Sequence, residues 1–325
     1  MKPTSEQPIG GVDYPRTLEE FDHWFASEQA CEQYLFRLRW PQGFVCPGCG
    51  GNRAWATGRG LLRCAGCQRQ TSAVSGTVFA GTRKPLRTWF HAMWFVTSEK
   101  LGGSALGLQR VLGLGSYETA WTWMHKLRRA MVRPGRERLS GLVEVDETYV
   151  GGPEPGADGR HVEKKSIVVV ATEQAGAGIG RIRLRRLSDV SGAQLLPFIR
   201  ESIEPGSTVH TDGWRGYMGV SAAGYHHQVT RLRRSDRLAH QLLPGVHRVA
   251  SLLKRWLLGT HQGSFSDKYL DYYLDEFTFR FNRRHSRARG LLFYRLLQQA
   301  VQLGPQPYPL LVAESSTVPD SRRYG

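Results

Sequence analysis

The residues best equipped for chemistry fall into two sets, four paired cysteines and two aspartates. Cys46-Pro-Gly-Cys49 and Cys64-Ala-Gly-Cys67 form two knuckles with 14 residues between them. Two such pairs at this separation suit a structural zinc ion, because thiolates then fill all four tetrahedral positions and leave none for a reacting water. The alternative is a redox pair or unconnected buried thiols. Cys31 sits on an apolar helical face and reads as core packing. Arg53, Arg63 and Arg69 around the knuckles favour nucleic acid as the module's partner, although zinc ribbons also hold proteins.

Asp146 lies in the run Val143-Glu144-Val145-Asp146-Glu147-Thr148-Tyr149, which reads as a β-strand. A charge inside a strand is unusual unless the strand end opens onto a site. Asp212 directly follows a second strand at 207–211. If the two strand ends are neighbours, their carboxylates repel, and a bound pair of divalent ions is the usual remedy. That pairing supports in-line phosphoryl transfer, one ion activating the attacking oxygen and the other stabilising the leaving 3′ oxygen. Spacing alone leaves open a turn aspartate at 212 and a surface or capping acid at 146.

These residues need elements to hold them. Phe21, Trp24, Phe25, Cys31, Tyr34, Leu35 and Leu38 recur at helical intervals over residues 18–39, which predicts one or two amphipathic helices. Residues 40–75 are rich in Gly and Cys with short β-prone pieces, as a metal-stapled module requires. Residues 85–132 turn helical, with Pro85 as a first-turn proline and breaks at Gly102-Gly103 and Gly113-Leu114-Gly115. Three helices joined by tight glycine turns form a helix-turn-helix pattern. Ser116 and Thr119 begin the last helix, which carries Lys126, Arg128 and Arg129 as candidate DNA contacts.

After a charged linker at 133–140, strands are expected at 142–150, 166–172 and 181–187, then a helix at 192–201 and a strand at 207–211. This β-β-β-α-β order predicts an α/β domain with a mixed sheet whose first and fourth strands can lie side by side. Further helices follow at 246–258, 269–281 and 291–301, with Trp256, Phe277, Phe279 and Phe281 as core aromatics; 304–325 reads as a loose tail. Basic runs at 181–186 and 231–237 suit either a DNA backbone or a solvated surface.

A chain of 325 residues has room for two or three domains. It carries 44 Lys and Arg against 28 Asp and Glu, a net +16 that calls for a polyanionic partner. The first forty residues hold 4 basic and 7 acidic side chains, net −3, so the positive field belongs to the rest, at +19. The densest apolar stretches, 89–96 and 167–171, fall far short of the roughly 20 residues of a membrane-spanning helix. Glu6, Asp13, Glu19, Glu20 and Asp22 deny the N-terminus the basic start and apolar centre of a signal peptide. A cytoplasmic location with reduced thiols is expected.

The runs VEVDETYVGG from Val143, HTDGWRGY from His210, HRVASLLKRWLLGTHQG from His247 and DEFTFRFNRR from Asp275 closely resemble bacterial insertion-sequence transposases of the zinc-ribbon group. The ribbon, Gln68-Arg-Gln-Thr71, Ser75-Gly-Thr-Val-Phe79 and the helical stretch 89–131 share the resemblance, which covers roughly residues 18–300 in the family's order. It implies a ribonuclease H-like catalytic domain of the DDE type, with Asp146 and Asp212 as the first two metal-binding acids. Where many such enzymes carry Glu, and parts of this group Asn or His, this chain has His247, followed seven residues later by Lys254. Seven residues are nearly two helical turns, so both share a face.

The resemblance therefore assigns His247 as third ligand to a catalytic Mg²⁺ or Mn²⁺ and Lys254 as a phosphate contact, with Arg255 beside it on DNA; a packing histidine and a solvated lysine are the alternatives. Glu276 or Asp275 would offer oxygen instead, without support from the family pattern. The implied organisation is an N-terminal helical segment at 1–40, a zinc ribbon at 41–80, a helix-turn-helix segment at 81–133, a catalytic domain at 141–303 and a tail at 304–325. The implied function is binding of terminal inverted repeats and transfer of DNA strands by a homo-oligomer, in a bacterial nucleoid-associated setting. A catalytically decayed or domesticated relative that only binds DNA is the alternative, and a nuclease that cuts without joining shares the chemistry.

Overall fold

The computed structural model describes residues 7–133, 135–152, 165–230, 239–262 and 266–313. The elements run α1 (Leu18–Trp24), α2 (Glu28–Arg39), β1 (Ala54–Ala56), β2 (Leu62–Cys64), β3 (Gln70–Thr71), α3 (Leu86–Ser98), α4 (Ala105–Leu112) and α5 (Tyr117–Ala130). They continue with β4 (Leu142–Val150), β5 (Ser166–Ala175), β6 (Gly178–Leu187), α6 (Gly192–Ser202), β7 (Thr208–Thr211) and β8 (His226–Val229). The last are α7 (Ala239–Leu242), α8 (Pro244–His261), α9 (Leu270–Asn282), α10 (Arg289–Ala300) and α11 (Tyr308–Val312). The chain divides into two compact units, one running to Arg133 and resuming at Ser286, the other lying between Pro134 and His285.

In the first unit the side chains of Thr17, Ser27, Ser104 and Ser116 accept the backbone N–H groups of Glu20, Ala30, Gly107 and Thr119, starting α1, α2, α4 and α5. Gly113 ends α4 at φ 59°, a left-handed conformation that costs glycine nothing. Pro85 stands one residue outside α3, at its N-cap, rather than in its first turn. Phe293 of α10 is fully buried, its ring 5.3 Å from Phe21, 5.7 Å from Phe90 and 5.6 Å from Trp94. The catalytic-domain boundary expected at 303 is thus corrected: α10 closes the aromatic core of the helical unit. Within the stretch expected as a loose tail, α11 buries Leu311 and brings Tyr308 within 6.3 Å of Trp121.

The second unit is built on a five-stranded sheet in the order β6-β5-β4-β7-β8. The pairs β4–β5 and β5–β6 are antiparallel, while β4–β7 and β7–β8 are parallel. Side chains alternate between faces along each strand. Val143, Val145, Val169 and Val209 point to one side and pack on Leu195, Phe198 and Ile199 of α6. Val150, Val168, Val170 and Leu184 face the other way, onto Val246, Val249 and Leu253 of α8 and Phe277 of α9. Strand β8 was not expected from the sequence. No described helix is long and apolar enough to cross a membrane.

The basic run at 181–186 is ion-paired along most of its length, and one of its arginines is buried. Arg181 holds Glu173 at 2.8 Å, Arg185 pairs with Glu201 and Arg186 with Asp267, while Arg183 is 4% exposed. The second basic run, 231–237, lies outside the described residues.

Candidate active site and zinc centre

The three short strands of the ribbon pair antiparallel in the order β1-β2-β3 and bring both knuckles together. Cys46 Sγ lies 3.6 Å from Cys67 Sγ, and Cys49 Sγ 3.6 Å from Cys64 Sγ. A tetrahedron with zinc–sulfur bonds of about 2.3 Å has edges of about 3.8 Å, so the four sulfurs fit the ion. Gly48 N–H, 3.4 Å away, donates to Cys46 Sγ, and the knuckle N–H groups together hold that thiol down to about 6, favouring thiolate. The knuckles repeat one backbone turn: Gly50 N–H donates to Cys46 O at 2.9 Å and Gln68 N–H to Cys64 O at 3.0 Å. Gly50 adopts φ 74° and Gln68 φ 62° there, so the second knuckle places a side chain where glycine is preferred.

In the sheet unit Asp146 lies within β4, and Asp212 directly follows β7, the strand paired parallel to β4. The β4–β7 register pairs Val143 with Val209 and Glu144 with His210. Two residues beyond the last of these pairs stand Asp146, still within β4, and Asp212, just past the end of β7. Asp146 Oδ1 accepts the N–H of Glu147 at 2.9 Å. Asp212 Oδ1 accepts the N–H of Trp214 at 2.8 Å, closing a turn that Gly213 makes at φ 84°. The aspartate at 212 is a turn residue and a strand-end acid at once.

His247 is the fourth residue of α8, and its Nε2 lies 3.8 Å from Asp146 Oδ2. Asp146, Glu147, His247 and Lys254 line one cavity of about 220 Å³. Among the described residues, the four cysteines form the one group of three or more ligands whose donor atoms all lie within 4.8 Å of one another. Asp146 and His247 share their cavity, whose lining does not include Asp212. A donor set of carboxylates and one imidazole nevertheless suits Mn²⁺, and Mg²⁺ through its oxygens.

Two neighbours of this set escaped the sequence reading. Glu144, two residues before Asp146 on the same strand face, accepts the N–H of Val246 at 3.0 Å, and burial pushes its carboxyl up. Tyr217 is fully buried and donates to Glu147 Oε2 at 3.1 Å. Burial raises the phenol well above its ordinary value, and the charges of Glu147, Asp146 and Asp212 add to this, so it stays a proton donor. The signal for Glu144 was its spacing from Asp146; Tyr217 closes the HTDGWRGY run, which carried the family resemblance without giving the tyrosine a role.

The remaining candidates separate. Lys254 and Arg255 are exposed on α8, and Arg69 is exposed on the ribbon. Lys126 lies half-buried with its ammonium 5.9 Å from the Trp89 ring, and Arg129 is half-buried too. Arg128 is 2% exposed, which corrects its reading as a surface contact to DNA. Glu276 is fully buried, and Arg280 holds its Oε1 at 2.7 Å within α9, which commits that oxygen to an ion pair.

Residues 138–282 match the model of the ISXO2-like transposase domain, and residues 26–70 that of the transposase zinc-ribbon domain. A Halobacterium salinarum protein described as an uncharacterized protein in transposable element ISH50 is 30% identical over 212 residues, covering 59% of this chain and 70% of its own length. The chain belongs to the insertion-sequence transposases of the zinc-ribbon group. Among solved structures, a chain from a simian T-cell lymphotropic virus intasome in complex with PP2A regulatory subunit B56 gamma overlaps at TM-score 0.29 and 14% identity, over 56% of this chain and 66% of that one. A chain of a pre-cleavage Mos1 transpososome overlaps at TM-score 0.25 and 13% identity, over 67% of this chain and 79% of that one.

Proposed function

We propose that this transposase binds the terminal inverted repeats of its element through the ribbon and the α3–α5 helix-turn-helix segment. Strand cleavage and strand transfer then take place in a ribonuclease H-like sheet domain. The observation that carries the catalytic part is the 3.8 Å approach of His247 on α8 to Asp146; the parallel pairing of β4 with β7, which Asp212 directly follows, supports adding Asp212 to the set. Asp146, Asp212 and His247 would hold the divalent ions. When bound, such ions activate the attacking oxygen and stabilise the leaving 3′ oxygen of an in-line displacement.

The chain's own residues supply position and charge. Lys254, seven residues along α8 from His247, offers an ammonium to a backbone phosphate at the cavity edge. Arg255 and Arg69 extend the cationic surface, and the +16 net charge supports DNA as the partner. The domains we assign are a helical and ribbon unit completed by α10 and a catalytic unit ending near His285. Two element ends must be held together for transposition, so a homo-oligomer on DNA in the bacterial nucleoid is part of the reading.

An imidazole in place of a third carboxylate favours Mn²⁺ over Mg²⁺. It is also the one feature that favours the alternative of a decayed, DNA-binding relative. Incubating the protein with labelled element ends, target plasmid and either ion distinguishes the two. Joined product that disappears in Asp146→Asn and Asp212→Asn proteins supports the enzyme, cut ends without joining support a nuclease, and DNA binding with neither product supports the decayed form.

A further inference from the structure

We infer that Glu144 is a positioning residue which clamps the first turn of α8 onto β4 and thereby sets the distance between His247 and Asp146. The inference rests on the metal-site reading above. Glu144 and Asp146 lie on one face of β4, two residues apart, and α8 packs on that face. A helix start leaves backbone N–H groups without partners inside the helix. The N-cap of α8 is Leu243, which has no side chain able to accept them. Glu144 supplies the acceptor from the strand instead, taking the N–H of Val246 at 3.0 Å.

The approach is close enough to require glycine at the next contact. A Cβ on Gly245 would stand 2.7 Å from Thr172 Oγ1 and 2.9 Å from Glu144 Oε2. Val246, whose N–H is held, immediately precedes His247. Thus the residue that places the third ligand is anchored to the strand that carries the first. Small displacements matter here, because ligand sites tolerate only about half an ångström of looseness. Loss of the clamp frees the helix start to rotate or retreat, and the cost falls on metal binding before it falls on DNA.

The test measures the Mn²⁺ concentration giving half-maximal joining by the full chain on labelled ends, alongside end binding by anisotropy, zinc content and thermal melting. Glu144→Ala is expected to raise that concentration at least about tenfold with end binding unchanged. Glu144→Gln, whose amide oxygen still accepts the N–H, is expected to stay within about threefold of the parent. Gly245→Ala keeps the carboxylate but forces helix and strand apart, and should reproduce the Glu144→Ala effect; it also serves if Glu144→Ala does not fold. A parent-like Mn²⁺ requirement in both Glu144→Ala and Gly245→Ala, or a Gln variant as impaired as the Ala variant, overturns the clamp. Asp146→Asn run in parallel separates the levels. If it joins ends normally, the metal site and the clamp fall together; if it is inactive while Glu144→Ala and Gly245→Ala are normal, the clamp alone falls.

Discussion

Glu276 is the acid on which a ligand role and a structural role give opposite outcomes. Its side chain is fully buried, and Arg280 one helical turn on donates to it from Nε at 2.9 Å and from Nη2 at 2.7 Å. Removing one member of a buried ion pair leaves the other charge desolvated and uncompensated, at about 3–5 kcal/mol. For a unit of this size that corresponds to a fall in Tm of roughly 6–20 °C in the Glu276→Ala protein. Replacing both partners, as Glu276→Leu with Arg280→Met, removes the stranded charge and is expected to recover most of the loss. Strand transfer assayed about 15 °C below each variant's Tm should be preserved, with an unaltered Mn²⁺ requirement. A Glu276→Ala protein that melts like the parent yet cannot join ends would refute the structural assignment and return Glu276 to the list of metal ligands.

Other expectations follow from single contacts. Phe293→Ala should destabilise the zinc-bearing unit by about 3–5 kcal/mol, read as zinc release at lower denaturant, while leaving the sheet unit's transition in place; loss confined to the sheet unit would contradict the assignment of α10. Gln68→Gly should relieve the left-handed backbone and stabilise the ribbon by about 1 kcal/mol, visible as zinc retained at higher denaturant, whereas no gain would mean the turn is unstrained. Burial alone would raise the Glu173 carboxyl, but hydrogen bonds from the Arg181 side chain and the N–H groups of Ser140 and Arg181 outweigh it and hold the group at about 2. A depressed carboxylate stabilises the fold above its unfolded value of 4.5 and loses that contribution as pH falls towards 2. Denaturation between those values should therefore be less steep in Glu173→Gln, and an identical pH profile would count against the pairing.

Much of the site was legible because its signals are local. The strand carrying Asp146 announces itself by alternation, the cysteine knuckles by spacing, and Ser116 caps α5 as its sequence implies. What sequence reading missed depends on distant partners. Periodicity identifies α10 as amphipathic but does not say which core receives Phe293, so the helix was given to the wrong unit. Strand β8 has four residues and a mostly polar, exposed run, His226–Val229, with no alternation to betray it. Arg128 looked like a surface cation on a basic helix, and burial is a property of its surroundings rather than its neighbours in sequence. Glu144 was visible only as one more acid, since its partner lies 102 residues away.

In the proposed mechanism Asp146 and Asp212 share a divalent ion. An anomalous difference map at the manganese edge, from crystals of the protein bound to an element end and soaked in Mn²⁺, measures this directly. Density flanked by both carboxylates, with His247 Nε2 in contact and the signal gone in Asp212→Asn crystals, is the expected result. Density confined to the cysteine ribbon, or retained unchanged after Asp212→Asn, would contradict it.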